Sequence, residues 1–318
     1  MYDVTALGEL LIDFTPYGKS ESGNPLYEAN PGGAPCNVLS QLCKLGKKTS
    51  FIGKVGDDSF GHTLGGLLEH LGIGTEGLRY SNNALTTLAF VHLDDAGDRS
   101  FSFARNQSAD VMLLSDEIDQ EQIRNSRIFH CGTLSMTGEP SRSATLKALQ
   151  CAKDSGILVS VDPNLREPLW PDLEQAKKAM WQVMEYSDII KISDYELAFL
   201  YGTVDVKEGA VKLYSDLKPK IIFATCGKDG AYLKTENGIW YHRCYTEVKT
   251  VDTTGAGDAF FGAALSKLLD TGFAVAQEQA MDILRFSSAA AALVTTKKGA
   301  ILSMPSRDEI EQLISENG

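Results

Sequence analysis

Val251-Asp252-Thr253-Thr254-Gly255-Ala256-Gly257-Asp258-Ala259-Phe260-Phe261-Gly262 sets small residues and one carboxylate where a loop turns into a helix. Beyond Asp258 the apolar residues Phe261, Leu265, Leu268 and Leu269 recur at helical spacing, and Gly272 supplies a stop. Gly255 to Asp258 are therefore expected at a helix N-terminus. There the unpaired backbone N–H groups and the helix dipole attract an anion, and glycines let it approach. Two readings are open at this point: Asp258 caps a helix after a glycine-rich turn, or the glycines form an anion hole beside a base.

The chain is 318 residues long and 43% hydrophobic, enough for one large domain or a core with a smaller appendage. Its net charge of -12 and pI near 4.9 argue against binding to nucleic acid or to an acidic membrane face. Six cysteines, Cys36, Cys43, Cys131, Cys151, Cys226 and Cys244, are scattered without a Cys-x-x-Cys pair, so neither a disulfide framework nor a zinc site is expected. The opening residues run straight into a strand-like pattern without a basic, apolar leader, and no apolar run is long enough to span a bilayer. A cytoplasmic protein with no membrane partner is expected.

Val4 to Leu7 and Leu10-Leu11-Ile12 bracket Gly8-Glu9, and Asp13 follows in a buried-looking setting. Tyr17 to Asn30 is polar and reads as exposed loops or short edge strands. Asn30-Pro31-Gly32-Gly33-Ala34-Pro35-Cys36-Asn37 then opens a second helix at a glycine pair, with Val38, Leu42 and Leu45 on its apolar face. Thr86 to Leu93 and Arg99 to Ala104 are β-rich runs joined by Asp94-Asp95-Ala96-Gly97-Asp98, a hairpin signal. After it, strands and helices alternate: Arg127 to Gly132, a helix from Ser141, Ile157 to Asp162, a helix from Asp172, Asp188 to Ile192, a helix from Asp194, and Ile221 to Thr225. Repeated βα units with apolar strands imply an α/β fold, a mainly parallel central sheet with helices on both faces. The hairpin and the Tyr17 to Asn30 segment fit that scheme poorly and are read as a small β lid. The domains are then a core of 1–12, 32–84 and 111–318 and a discontinuous lid of 13–31 and 85–110.

Gly18-Lys19-Ser20 lacks the leading glycine of a phosphate loop, and Gly72-Ile73-Gly74-Thr75-Glu76-Gly77 follows a helix and opens none, so both motif matches are set aside. What remains is Asp13, Gly32-Gly33, Asn37 and Asp258, short hydrogen-bonding groups at strand ends and helix entrances, where open α/β sheets put their ligands. Hydroxyl recognition beside an anion hole is what phosphoryl transfer to an alcohol requires. The residues alone point to a small-molecule kinase.

Gly32-Gly33-Ala34-Pro35-x-Asn37 and Asp252-Thr253-Thr254-Gly255-Ala256-Gly257-Asp258 resemble the two signatures of the ribokinase-like, or PfkB, carbohydrate kinases. The Gly53 to Gly61 run, the lid and the βα order extend the likeness over almost the whole chain. Gly8 to Phe14, Arg105-Asn106-x-Ser108-Ala109-Asp110, Asp162-Pro163-Asn164-Leu165-Arg166 and Lys191-Ile192-Ser193 resemble the fructokinase subgroup. The resemblance implies a ribokinase-like fold and ATP-dependent phosphorylation of D-fructose at its 6-hydroxyl. It implies that Asp13, Gly32, Gly33, Asn37, Arg105, Asn164 and Asp258 hold the sugar, with Asp258 as base and Gly255, Ala256 and Gly257 as the phosphoryl cradle. It implies ATP contacts from Lys191, Ser193, Glu196, Thr225, Gly227, Gly230 and Gly257. Ser193-Asp194-Tyr195-Glu196 departs from the family's Asn-x-x-Glu at its first position, while Glu196 would hold Mg²⁺ through water. Asp252, Thr254 and Gly299 resemble the K⁺ site of some relatives.

The alternatives are a kinase for 2-keto-3-deoxygluconate, ribose or a nucleoside, or a silent relative acting as a binding or regulatory protein. Retention of base and anion hole together argues against the silent relative. Leu88, Phe90, Phe101 and Phe103 either give the lid an apolar face for a homodimer or pack on the main domain.

Overall fold

The apolar runs form thirteen strands among the described residues: β1 (Tyr2–Leu7), β2 (Leu11–Lys19), β3 (Pro25–Gly32), β4 (Thr49–Gly56), β5 (Gly74–Ser81), β6 (Leu88–Leu93), β7 (Arg99–Ala104), β8 (Ser126–Cys131), β9 (Leu158–Val161), β10 (Ile189–Ser193), β11 (Ile221–Thr225), β12 (Ala231–Thr235) and β13 (Gly238–His242). The computed structural model describes residues 1–93, 99–203 and 205–317, and only the backbone of strand residues 93 and 99–101. The turn expected at Asp94 to Asp98 lies outside the described residues.

Nine strands make one sheet in the order β13-β12-β11-β10-β9-β8-β1-β4-β5. All its pairs are parallel except β11 with β12 and β12 with β13. Successive residues of a strand point to opposite faces, and both faces are buried. Ile189, Ile221 and Phe223 join one apolar layer with Leu42, Phe261 and Leu265, and Ile190, Ile192, Ile222 and Ala224 join the other with Leu149, Met180 and Val183. Near-continuous apolar strands are the expected signature of such a two-sided sheet.

The chain leaves β1 in two directions, to β4 and β5 on one side and to β8 through β11 on the other. This reversal opens a crevice at the carboxyl ends of the central strands. Gly8-Glu9, Gly132-Thr133, Asp162-Pro163-Asn164 and Ser193 all lie at those ends.

A second sheet of four strands, β3-β2-β6-β7, rises from the same end. The Tyr17 to Asn30 stretch is more regular than its polarity suggests: β2 runs on to Lys19 and pairs antiparallel with β3. Most of its outer residues are exposed, so a thin sheet forms there without the apolar alternation that identifies a strand over a core. Phe14 stacks on Phe90 with centroids 5.0 Å apart and meets Phe60 of the core edge-on at 5.8 Å, while Leu88 packs against the main core. These lid side chains are thus partly used in seating the lid.

Candidate active site

The helix Ala256–Thr271 begins at Gly255, whose φ of 78° lies in the left-handed region. Phe260 and Phe261, both buried, anchor its first turns edge-on against Phe223. No side chain caps this helix; its Ala256 N–H turns back onto the Thr253 carbonyl at 3.3 Å, and the helix starts at the end of a cleft of about 410 Å³ lined by Thr253 to Asp258. A Cβ on Gly257 would come within 2.9 Å of Lys191 Nζ, so the second glycine is what lets an ammonium lie against the helix entrance.

Opposite it, the helix Ala34–Lys44 begins at Gly33, where φ is 123° and a Cβ would meet the Glu9 carbonyl at 2.3 Å. Glu9 Oε1 accepts the Ala34 N–H at 2.9 Å, a cap supplied from the end of β1. Asn37 Nδ2 donates to Asp258 Oδ2 at 2.7 Å, joining the two helix entrances. Asp13, on β2, lines the same cleft with Glu9, Gly33, Asn37 and Asn164.

The electrostatics are set by burial. Burial raises the Asp258 carboxyl above the ordinary aspartate range against the hydrogen bond from Asn37 and the charges of Lys191 and Arg166. Asp13 is pushed up to about 6 by burial, with Arg166 opposing and Asp252 adding. Glu9 is pushed up to about 7, again mainly by burial. Burial opposes the charge of Lys191, but Asp162, Glu196 and Asp258 together hold its ammonium above the ordinary lysine range. Its Nζ donates to Asp162 Oδ2 at 2.9 Å.

Glu196 is buried and its carboxylate is well used. Oε1 accepts the Leu165 N–H, and Oε2 accepts the N–H and Oγ–H of Ser193, each at 2.8 Å. Ser193 Oγ in turn accepts the Glu196 N–H at 3.2 Å, a capping box at the helix Asp194–Tyr201. A serine therefore serves this helix start in place of an asparagine.

Among the expected site residues, Asp13, Gly33, Asn37, Asn164, Lys191, Ser193, Glu196, Gly255, Ala256, Gly257 and Asp258 line the one cleft. Gly32 ends β3 opposite Leu11 and does not. Arg105 is turned elsewhere: its guanidinium bonds Asp110 Oδ2, Thr137 Oγ1 and the Leu134 carbonyl. Thr225, Gly227 and Gly230 form the turn between β11 and β12, outside that cleft, with the Cys226 N–H on the Gly230 carbonyl at 2.8 Å. Asp252 takes the Thr254 N–H on Oδ1 at 2.8 Å and the Gly299 N–H on Oδ2 at 3.2 Å, so these three residues meet at the edge of the cleft, which Thr254 lines. Glu9, Asp162 and Arg166 carry much of the local charge without a role assigned to them from sequence. Their signals were present: Glu9 and Asp13 flank one short apolar run, and Asp162 and Arg166 flank Asn164.

No helix among the described residues is long and apolar enough to cross a membrane, and no group of three metal-ligating side chains is preassembled among them. The model of the pfkB family carbohydrate kinases matches residues 1–307. The chain is similar to the probable fructokinase-4 of Arabidopsis thaliana, at 43% identity over 323 residues covering 99% of this chain and 97% of that one. Its structure is similar to that of a fructokinase from Xylella fastidiosa with bound ATP, with a TM-score of 0.91, 29% identity and coverage of 100% and 99% of the two chains. It is also similar to a double mutant of the fructokinase from Vibrio cholerae O395 in a form with bound fructose, ADP and potassium ion. There the TM-score is 0.88 at 31% identity, over 99% of this chain and 98% of that one.

Proposed function

The chain belongs to the pfkB family of carbohydrate kinases, and from that premise we propose its reaction: transfer of the γ-phosphoryl group of ATP to the 6-hydroxyl of D-fructose, giving fructose 6-phosphate and ADP. The observation that carries this reading is the bond from Asn37 to Asp258 at an uncapped helix N-terminus, which sets a base between sugar-holding groups and an anion hole.

Asp13, Gly33, Asn37 and Asn164 hold the sugar hydroxyls. Asp258 accepts the proton of the 6-hydroxyl as that oxygen attacks the γ-phosphorus, and the bond from phosphorus to the ADP oxygen breaks with its electron pair leaving on ADP. The backbone N–H groups of Gly255 to Gly257 face the charge on the transferring group, and Lys191 adds a fixed positive charge beside them. Burial favours protonated Asp258 in the free protein, so Lys191, Arg166 and Asn37 matter for keeping the base ionised.

Magnesium fits at Glu196 through water. Three of the roughly four acceptor sites of a carboxylate are taken there by protein donors, which leaves one for a water. When bound with ATP, the ion neutralises phosphate charge. Potassium fits at Asp252, Thr254 and Gly299, which the Asp252 carboxylate ties together just behind the cradle. The lid sheet is the proposed homodimer face, supported by Tyr17, Leu26 and Tyr27, which remain exposed on it. The six free thiols suit a cytoplasmic location.

The test is kcat/KM across purified sugars with ATP. Fructose is expected to lead, and preference for an acidic sugar or a nucleoside would overturn the assignment. Light scattering of the wild type against a Tyr27→Asp variant tests the dimer.

A further inference from the structure

Against the floor of the cleft lies a second, far smaller chamber of about 10 Å³, walled in part by Glu9, His130, Gly132, Asp162 and Asp258. A space of that size admits about one water, provided that two to four polar groups receive it. The chamber is polar enough. Asp162 is 2% exposed, and while its Oδ2 is bonded to Lys191, its Oδ1 has no hydrogen-bond partner among the described residues. A buried carboxylate oxygen left unpaired is costly, and such an orphan in a native fold calls for a partner. His130, on another wall, has Nδ1 within 3.1 Å of Ser160 Oγ and stays neutral, its pKa pushed down to about 4 mainly by burial.

Asp162 and Asp258 face this space together and repel one another, Glu196 adds to the repulsion felt by Asp162, and Lys191 is the cation that attracts all three. A water has two O–H donors. Placed between two carboxylates it bonds both and offsets their repulsion, where an apolar filler would leave it in full.

We propose that this chamber is a binding site for one water molecule, held by Asp162 Oδ1 and donating to Asp258, and that Asp162 thereby positions the base. The proposal rests on the reading of Asp258 as base. Asn37 fixes Oδ2 of that carboxylate from the cleft side, and the water fixes the carboxylate from behind. The base is then oriented from two sides while a lone pair remains for the sugar hydroxyl. Asp162 is a positioning residue in this account, since it acts through the water.

Gly132 allows a test that removes no charge. A Cβ there lies 3.0 Å from the Asp162 carbonyl, a tight contact at the chamber wall. Gly132→Ala is expected to displace the water and to lower kcat at least about tenfold, the scale on which a misplaced catalytic group is felt, with KM for fructose and ATP unchanged. Gly132→Ser is larger still, but its hydroxyl can replace the water, so it is expected to recover part of the lost kcat. Crowding alone predicts the reverse order, and serine worse than alanine would overturn the proposal. So would wild-type kcat in both variants.

A crystal structure of the unaltered protein decides the point independently of how the variants fold. Density within hydrogen-bond distance of both Asp162 Oδ1 and Asp258 is expected, and a chamber without it overturns the site. Asp258→Asn separates the two levels: if it abolishes turnover while the chamber shows no water, the base reading stands and this inference alone fails.

Discussion

Asn37 Nδ2 and Asp258 Oδ2 meet at 2.7 Å although 221 positions separate them in the chain. Each sits in the first turn of its own helix, and each helix entrance was set by a glycine. The bond makes one site of two stretches that are only locally meaningful. It also fixes one oxygen of a carboxylate whose pKa burial raises, and opposes that rise.

Asp258→Asn retains shape and a hydrogen bond to residue 37 but cannot accept a proton. Fructose affinity by calorimetry is expected to stay within a few-fold, and kcat to fall by roughly 10²–10⁴, the usual worth of a general base. Near-normal kcat would remove Asp258 from that role. Asn37→Ala should lower kcat less and weaken fructose binding as well, since in the proposed site it would loosen the base and remove a sugar contact together.

The acid side of the pH profile follows from Asp13. Its carboxyl is raised to about 6 by burial in the free protein, so it is ionised above that pH and neutral below it. Because kcat/KM reports the free enzyme, kcat/KM for fructose is expected to fall about tenfold per unit as pH drops below that value, with Asp258 adding to the same limb. Asp13→Asn loses its share of the limb and keeps those of Asp258 and of Glu9, whose carboxyl is raised to about 7 in the same cleft. A profile unchanged in shape by Asp13→Asn would show that Asp13 does not titrate in sugar binding.

How much of this was legible beforehand differs by residue. The βα order could be read because parallel strands buried on both faces leave unbroken apolar runs, as at Ile221 to Ala224. The lid could be located by its misfit, but not the length of β2, since Thr15 is half-buried, Pro16 to Lys19 are exposed, and the stretch carries no alternation. At the site, Gly257 and Asp258 could be placed at a helix entrance from the glycine spacing alone, and they line the cleft there. Arg105 did not: a guanidinium has the same letter whether it meets a ligand or an internal carboxylate, and only the fold puts Asp110 within its reach. Glu9 and Asp162 went unassigned because burial gives them their character, and burial is a property of the assembled sheet.

Arg105 accordingly makes a prediction about stability. Its side chain and that of Asp110 are buried, and the pair also receives Thr87 and Ser108 on the carboxylate. Arg105→Met leaves Asp110 charged and unpaired, and unfolding by denaturant is expected to show a loss of about 3–5 kcal/mol. Adding Asp110→Leu should restore much of it, because two apolar groups replace the pair. If Arg105→Met instead keeps its stability and loses fructose binding, the arginine belongs to the sugar site.

Gly257→Ala tests the phosphate side of the cradle. The new methyl would lie 2.9 Å from Lys191 Nζ. A free lysine would swing away at little cost, but this one is tied to Asp162 and enclosed by protein, so the two cannot simply part. Either the ammonium retreats from the helix entrance or the first turn shifts, and each weakens the positive field where the transferring group passes. Alanine has higher helix propensity than glycine, so thermal stability should change little. The expected signature is a fall of about tenfold or more in kcat with a raised KM for ATP, while KM for fructose stays near the wild-type value. A variant that instead raises KM for fructose alone would place Lys191 on the sugar side of the cleft.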